Sequence, residues 1–227
     1  MARVVLTGLT HRYPSTVTTT IDDLNLDVPN GELLVILGGT GSGKTTLLRL
    51  ISGMETPTAG TIAFDGEDVT KLSAPQRHVV MAFENYALYP HMTVAENMAF
   101  ALLLYGETHE GAMERVRAVA SRMGLQDLLD ATPDELTGTQ RHTVAMARAA
   151  VRRPAVFLLD EPMGRLPHDT REETTAALAD LQRTIGITAI VATRDTQLAL
   201  DIADRIAVLE NGRITRLGTP DELRDFL

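Results

Sequence analysis

Residues 38–46 carry glycine, hydroxyl and lysine side chains at a spacing that suits phosphate binding. The pattern G-x-x-x-x-G-K-[ST] is met by Gly38, Gly43, Lys44 and Thr45. Glycines let backbone N–H groups converge on an anion, and a following helix adds partial positive charge. Lys44 would reach the β- and γ-phosphates of a nucleotide, and Thr45 would ligate Mg²⁺. The alternative is a flexible turn before a helix. We predict nucleotide contacts by Gly38, Gly39, Thr40, Gly41, Ser42, Gly43, Lys44, Thr45 and Thr46.

Two acids end a second apolar run, residues 155–159. Asp160 fits the carboxylate that is associated with Mg²⁺ in phosphate-loop enzymes. Glu161 could polarise an attacking water molecule as a catalytic residue. An isolated Asp-Glu pair more often begins a solvated turn, but the upstream phosphate loop favours a site.

The elements around these residues follow an α/β pattern. Leu33–Leu37 is predicted as a buried strand before the loop, and Thr45–Ser52 as the start of a helix with an apolar face. Strands are also predicted at Ile187–Ala192 and Ile206–Glu210, alternating with helices. This alternation indicates an α/β fold.

Composition narrows the function classes. The chain has 227 residues and a formal net charge of −9, which argues against a nucleic-acid partner. It has no cysteine, so disulfides and thiolate metal sites are excluded, and its histidines show no metal-binding spacing. The longest apolar runs, such as 98–105, are too short to span a bilayer. We expect a cytoplasmic chain.

An ordered set of further motifs resembles the nucleotide-binding subunits of ATP-binding-cassette (ABC) transporters. Tyr13 resembles the aromatic residue that stacks on adenine in that family. Residues 83–102 resemble the Q-loop and following helices of the sugar-importer branch, the maltose, glycerol-phosphate and trehalose type. Residues 192–214 resemble the switch region. The resemblance to the signature motif falls on Leu136, Thr137, Gly138, Thr139 and Gln140, which would bind nucleotide.

The resemblance implies a P-loop NTPase fold with a RecA-like core. An antiparallel β layer, about residues 3–30, would cover a mixed core sheet. A helical subdomain, about 87–150, would be inserted into a core of 1–86 and 151–227, making one ABC ATPase domain. Importers of this branch commonly carry a C-terminal regulatory domain; since the sequence stops at Leu227, we expect none here.

The sequence departs from the family pattern at four places. Arg194 stands where the family has its switch histidine, and Glu84 where it has the Q-loop glutamine. Thr137 and Thr139 replace serine and glycine in the signature, and Pro167 replaces the D-loop aspartate. Thr139 adds a Cβ where glycine allows close approach. Pro167 removes an N–H group and a carboxylate.

The changes at Glu84 and Arg194 alter charge in opposite directions. Arg194 could hold the γ-phosphate but could not shuttle a proton. Glu84 would add negative charge beside a triphosphate and a potential ligand for Mg²⁺. One hypothesis is that the two residues compensate each other near the γ-phosphate. The alternative is that each changed independently in a site no longer selected for turnover.

Three functions compete. The first is an importer subunit that hydrolyses Mg²⁺-bound ATP to drive carbohydrate uptake through separate transmembrane permease subunits. The second is a catalytically weak nucleotide-binding partner of a regular ABC ATPase, and the third is a cassette ATPase without a transporter. Glu161 favours the first over the second, whereas Arg194 and Thr139 favour the second.

The resemblance also implies a dimer and a place in the cell. In the family, ATP lies between the phosphate loop of one chain and the signature motif of the other. A homodimer would carry Arg194 and Thr139 at both sites, so a heterodimer with a second ABC ATPase chain is favoured. The chain would lie on the cytoplasmic face of the plasma or inner membrane, bound through the permease subunits.

Overall fold

The computed structural model describes residues 2–14, 18–82, 88–162, 175–176, 179–180, 182–184 and 186–227. They fall into two compact units. The first lies within Met1–Glu84, Ala155–Arg165 and Gly186–Leu227, and the second within Asn85–Pro154 and Leu166–Ile185. The described residues between 175 and 184 therefore group with the second unit, whereas the sequence assigned them to the core.

The first unit contains a four-stranded antiparallel sheet. Its strands are β1 (Val4–His11), β2 (Ile21–Val28), β4 (Ala59–Phe64) and β5 (Glu67–Asp68), in the order β2-β1-β4-β5. The sequence placed this layer at about residues 3–30 and so missed β4 and β5. A strand has two edges, and the second edge of β1 pairs with β4. β4 was missed because its first three residues are exposed, so its sequence alternates between buried and exposed residues over only a short stretch.

A second, six-stranded sheet carries the chemistry-bearing segments. Its order is β10-β9-β3-β8-β7-β6, parallel except that β10 runs antiparallel to β9. This confirms the predicted α/β class with a mixed sheet. The strands are β3 (Leu33–Leu37), β6 (Val79–Ala82), β7 (Val156–Asp160), β8 (Thr188–Thr193), β9 (Arg205–Glu210) and β10 (Arg213–Gly218).

The α-helices whose two ends are described fall in both units, and the second, third and fourth of them along the chain lie in the second unit. They are α1 (Lys44–Ser52), α2 (Val94–Leu104), α3 (His109–Arg122), α4 (Gly138–Ala150), α5 (Thr196–Ile202) and α6 (Pro220–Leu223). No helix in the described part of the chain combines the length and apolar character needed to cross a bilayer.

Helix α1 is fixed by the core of the first unit. Leu47, Leu48, Leu50 and Ile51 are fully buried in one apolar cluster with side chains from both sheets. Full burial of such a side chain contributes about 1.5–3 kcal/mol. Several kilocalories per mole therefore hold α1 against the sheets, and the amino end of α1 has little freedom to shift.

The second unit has its own core. Buried residues of α2, α3 and α4 form one apolar cluster, to which Leu136 also belongs. The fully buried Asn97 holds the loop before α2: its amide nitrogen donates to the main-chain oxygens of Tyr89, Met92 and Thr93. The first residue of the signature segment, Leu136, is thus packed in the core of the second unit.

Candidate functional site

The loop between β3 and α1 has a backbone that only glycine accommodates at two positions. A Cβ at Gly38 would lie 2.5 Å from the main-chain oxygen of Leu209. Gly43 has φ of 106°, and a Cβ there would lie 2.8 Å from the oxygen of Thr20. The helix begins at Lys44, one residue earlier than the sequence predicted. The predicted order of strand, loop and helix is present.

Lys44 turns its ammonium group into the loop. Its side chain is 8% exposed, and Nζ donates to the main-chain oxygens of Gly38 at 2.7 Å and Gly39 at 3.1 Å. The same nitrogen lies 3.7 Å from Oε1 of Glu161. The lysine therefore joins the phosphate loop to the acidic end of β7.

Strand register brings the loop and the acids to one edge of the sheet. β8 lies between β3 and β7, with Thr193 opposite Leu37 and Ala192 opposite Asp160. Because these strands are parallel, their carboxyl ends meet at the same edge, which is where open α/β sheets bind ligands. The residues that follow all three strands therefore start from the same edge of the sheet.

Glu161 has an unusual backbone conformation directly after β7. Its φ is +48°, in the left-handed region that non-glycine residues seldom occupy. Such conformations cluster at functional sites. Its N–H donates to the oxygen of Ala192 at 2.9 Å, and its Oε2 accepts from Oγ1 of Thr193 at 3.3 Å. The carboxylate is thereby oriented by the neighbouring strand.

Thr193 is a site residue that the sequence analysis missed. It is 2% exposed, donates to Glu161 and accepts a hydrogen bond from the N–H of Asp195 at 3.1 Å. Its only sequence signal is its place directly after a predicted strand, next to Arg194. Thr193 can contact Glu161 only because β8 pairs with β7, and this pairing could not be predicted from the sequence.

Two buried oxygen atoms fit a cation and a phosphate ligand. Oδ1 of Asp160 and Oγ of Ser42 are buried and have no hydrogen-bond partner among the described residues. A buried acceptor without a partner is destabilising, and a hard divalent cation with its water shell would satisfy Asp160. Thr45 is exposed at the start of α1 and can add its hydroxyl. These residues fit Mg²⁺.

The loop opens on a cavity of about 170 Å³. The residues that line it are Thr20, Gly41, Ser42, Gly43, Lys44, Thr45 and Thr46. Within the described residues, no cluster of three or more histidine or acidic side chains could hold a metal by itself. A magnesium ion here would need phosphate oxygens among its ligands, as Mg²⁺ does in nucleotide sites.

Tyr13 lies beside the loop at its α1 end. Its hydroxyl is 3.3 Å from Oγ1 of Thr46. The ring of His11 contacts that of Tyr13 edge-on, with centroids 4.6 Å apart, and Nδ1 of His11 lies 2.9 Å from the oxygen of Thr56. The structure thus places the predicted base-stacking residue next to the phosphate loop, with a buried histidine supporting its ring.

A family model described as ABC transporter matches residues 21–164, which include the phosphate loop, Asp160 and Glu161. The chain belongs to the ABC transporter family. The match also spans α2, α3 and α4 of the second unit.

Curated relatives of the chain are named as import proteins. It is 43% identical over 97% of its length to the sn-glycerol-3-phosphate import ATP-binding protein UgpC of Chromohalobacter salexigens. It is 41% identical over 99% of its length to the diacetylchitobiose uptake system ATP-binding protein MsiK of Streptomyces coelicolor. The chain covers 59% and 60% of these relatives, so it spans about three fifths of their length.

A solved ABC structure has the same fold. The dimeric structure of the ATP-binding cassette MJ0796, in a post-hydrolysis state bound to ADP and phosphate, matches with a TM-score of 0.73 and 27% identity. The match covers 96% of this chain and 98% of that one. The P-loop NTPase fold predicted from the sequence is confirmed.

Of the Q-loop, D-loop and switch positions, the structure describes only the switch position. Arg194 follows Thr193 at the carboxyl end of β8, and its side chain is exposed. Glu84 and the D-loop, with Pro167, lie outside the described residues. The compensation between Glu84 and Arg194 stays a prediction.

The signature segment belongs to the second unit, whereas the phosphate loop belongs to the first. Thr137 caps α4: its Oγ1 accepts from the N–H of Gln140, while Oε1 of Gln140 accepts from the N–H of Thr137. Gly138 is exposed, and a Cβ there would meet no atom within 4 Å. The chain itself would therefore leave room for a side chain at position 138. A requirement for glycine there would come from a bound ligand or a partner chain.

Proposed function

We propose that this chain is the ATP-binding and ATP-hydrolysing subunit of an ABC importer. The observation that carries the proposal is the contact between Lys44 and Glu161 across the carboxyl edge of the sheet. It joins the residue suited to hold the terminal phosphates to the residue suited to activate water. The names of the relatives support import, and support hydrolysis over a purely regulatory role.

Each group of the site has a definite task. Main-chain N–H groups of residues 38–46 and the ammonium of Lys44 hold the triphosphate. Mg²⁺, held by Thr45 and Asp160, would neutralise phosphate charge and orient the triphosphate. Glu161 accepts a proton from the attacking water molecule, and Thr193 keeps its carboxylate in place. Tyr13 packs on the base.

The switch-position arginine has a limited task. Arg194 can donate to the terminal phosphate but cannot exchange a proton at working pH. Glu161 is therefore the general base, and Arg194 serves as an electrostatic contact. Glu84 would lie near the same phosphate and share in Mg²⁺ binding and catalysis.

The chain works as a dimer in this proposal. Leu136–Gln140 of one chain would complete the phosphate loop of the other, which the dimeric cassette MJ0796 supports. We favour a heterodimer with a second ABC ATPase, since Arg194 and Thr139 would otherwise stand at both sites. Transmembrane permease subunits would hold the dimer at the cytoplasmic face of the membrane. The domain is proposed as one ABC ATPase module over residues 1–227.

The proposed cargo is a carbohydrate or a related small solute. The resemblance of residues 83–102 to sugar importers supports it, as do the two relatives. Their solutes, glycerol 3-phosphate and diacetylchitobiose, differ from each other, so the site chemistry does not select the solute.

Titration calorimetry with Mg·ATP, followed by phosphate-release assays alone and with permease subunits, tests the proposal. We expect saturable binding and turnover that rises with the permease. Absence of Mg·ATP binding by well-folded protein would refute it. Binding without turnover would leave a nucleotide-binding module.

A further inference from the structure

Arg77 is a buried cation in the first unit. It ends a 3-10 turn, Ala74–Arg77, and is only 3% exposed. None of the ion pairs in the described part of the chain includes it. Burial of an unpaired guanidinium is unfavourable unless its donors are satisfied. The N–H donors of the Arg77 guanidinium must therefore be satisfied by hydrogen bonds.

The guanidinium binds four main-chain oxygens. Nη1 donates to Leu50 at 2.7 Å and to Ile51 at 3.0 Å. Nη2 donates to Thr70 at 2.8 Å, and Nε donates to Leu72 at 2.9 Å. One side chain thus ties the end of α1 to the segment that follows β5.

Two of these oxygens belong to the last turn of α1. Carbonyls there have no partner within the helix and carry its partial negative charge. The planar fork of arginine reaches several such oxygens at once, whereas a lysine ammonium is a single point charge. Gly53, with φ of 80°, leaves room for this contact, since a Cβ there would lie 2.8 Å from Nε of Arg77. The C-terminal end of α1 is built around Arg77.

The opposite end of α1 is the phosphate site. The helix has nine residues, Lys44–Ser52, so its ends are roughly 13 Å apart. The apolar core holds the sides of α1. Because a helix is stiff along its axis, the contact at its carboxyl end adds to what fixes the axial position of its first N–H groups and Lys44. Small displacements of binding groups have large effects on affinity and rate.

We propose that Arg77 is a positioning residue for the phosphate site: by binding the carboxyl end of α1, it fixes the place at which the amino end meets the nucleotide. The inference rests on the proposed function. It goes beyond fold stability, because it predicts a loss of affinity in protein that is fully folded. Burial lowers the pKa of Arg77, with Asp68 opposing this in part, as expected for a guanidinium held by neutral carbonyls.

The test compares three variants at a temperature where each is folded. Arg77→Lys keeps the charge but loses the fork, and Arg77→Ala removes both. Leu26→Ala removes a buried side chain of the same apolar cluster that belongs to β2 and not to α1, and it serves as a control for loss of thermal stability. Calorimetry gives the Mg·ATP affinity of each, and millimolar guanidinium is added to test rescue.

We expect Arg77→Lys and Arg77→Ala to bind Mg·ATP about tenfold or more weakly than wild type. Leu26→Ala should bind as wild type, and guanidinium should strengthen binding by Arg77→Ala alone. Equal affinity in all three variants would overturn the inference. Failure of both Arg77 variants to fold would also overturn the inference, because Arg77 would then be required for folding and not specifically for positioning the phosphate site. Lack of binding by wild type would instead refute the proposed function.

Discussion

The ammonium nitrogen of Lys44 lies 3.7 Å from Oε1 of Glu161, although 116 residues separate them in sequence. The lysine side chain is nearly buried and also donates to two loop carbonyls. A phosphate entering the loop would compete for this ammonium. The two residues thus link phosphate binding to the carboxylate that would activate water.

Glu161→Gln should slow turnover strongly and keep nucleotide binding. Glutamine has nearly the same shape but cannot accept the proton of water, and general-base catalysis contributes about 10²–10⁴-fold. Phosphate release should fall by about that factor, while the Mg·ATP affinity is unchanged or higher because a negative charge near the phosphates is gone. Glu67→Gln, an exposed site in β5, should leave both unchanged. Equal turnover of wild type and Glu161→Gln would exclude Glu161 as the general base, and the absence of turnover in both would reduce the chain to a binding module.

Lys44→Met should weaken Mg·ATP binding. Methionine has similar length without the charge, and removal of one partner of a buried charged contact loses about 2 kcal/mol or more, roughly 30-fold in affinity. Lys71, the only other lysine, is exposed, so Lys71→Met is a matched control. Titration calorimetry measures the Mg·ATP affinity of both variants. A Lys44→Met protein that binds as tightly as Lys71→Met would remove the lysine from the phosphate site.

Gly43→Ala should disrupt the loop more than Gly66→Ala. Both glycines have positive φ, 106° and 87°, but only at Gly43 would the new methyl group meet main chain within 3 Å. The left-handed conformation alone costs about 1–2 kcal/mol, and overpacking adds about 1–3 kcal/mol. Denaturant unfolding should show this difference, and Mg·ATP affinity should fall only for Gly43→Ala. Equal losses would mean that the close contact with Thr20 relaxes freely.

A double-mutant cycle should show coupling between Glu84 and Arg194. If the two charges compensate near the γ-phosphate, Glu84→Gln and Arg194→His together should weaken Mg·ATP binding less than the sum of the single changes, by about 0.5–3 kcal/mol. Calorimetry on the four proteins gives the coupling free energy. Additive effects would support independent change at the two positions.

The stability of the chain should fall on acidification because of His142. Burial in α4 lowers the pKa of His142 from 6.5 to about 4. The unfolded chain therefore binds more protons between these values, so the contribution is complete above pH 6.5 and is lost as the pH falls toward 4. The loss is up to about 3 kcal/mol. His142→Gln should flatten this part of the stability curve, whereas His109→Gln, exposed on α3, should leave its slope unchanged.

Local pattern was enough to predict the elements that carry the phosphate loop. Leu33–Leu37 is a strand as predicted, because a run of five apolar residues before a glycine-rich turn is too short for a buried helix and fits a buried strand. Asp160 ends its strand as expected. The start of α1 was wrong by one residue because the conformation of Gly43, already outside the helix, lets Lys44 take the first helical position.

The sequence by itself determined the phosphate-binding chemistry and the α/β class, because spacing and periodicity are local properties of the chain. Tertiary structure decided the neighbours: Thr193 beside Glu161, β4 beside β1, and Arg77 at the end of α1. Each of these contacts joins segments that the chain alone leaves far apart. Strand order and helix packing arise from burial of apolar surface over the whole unit, and no short segment contains that information.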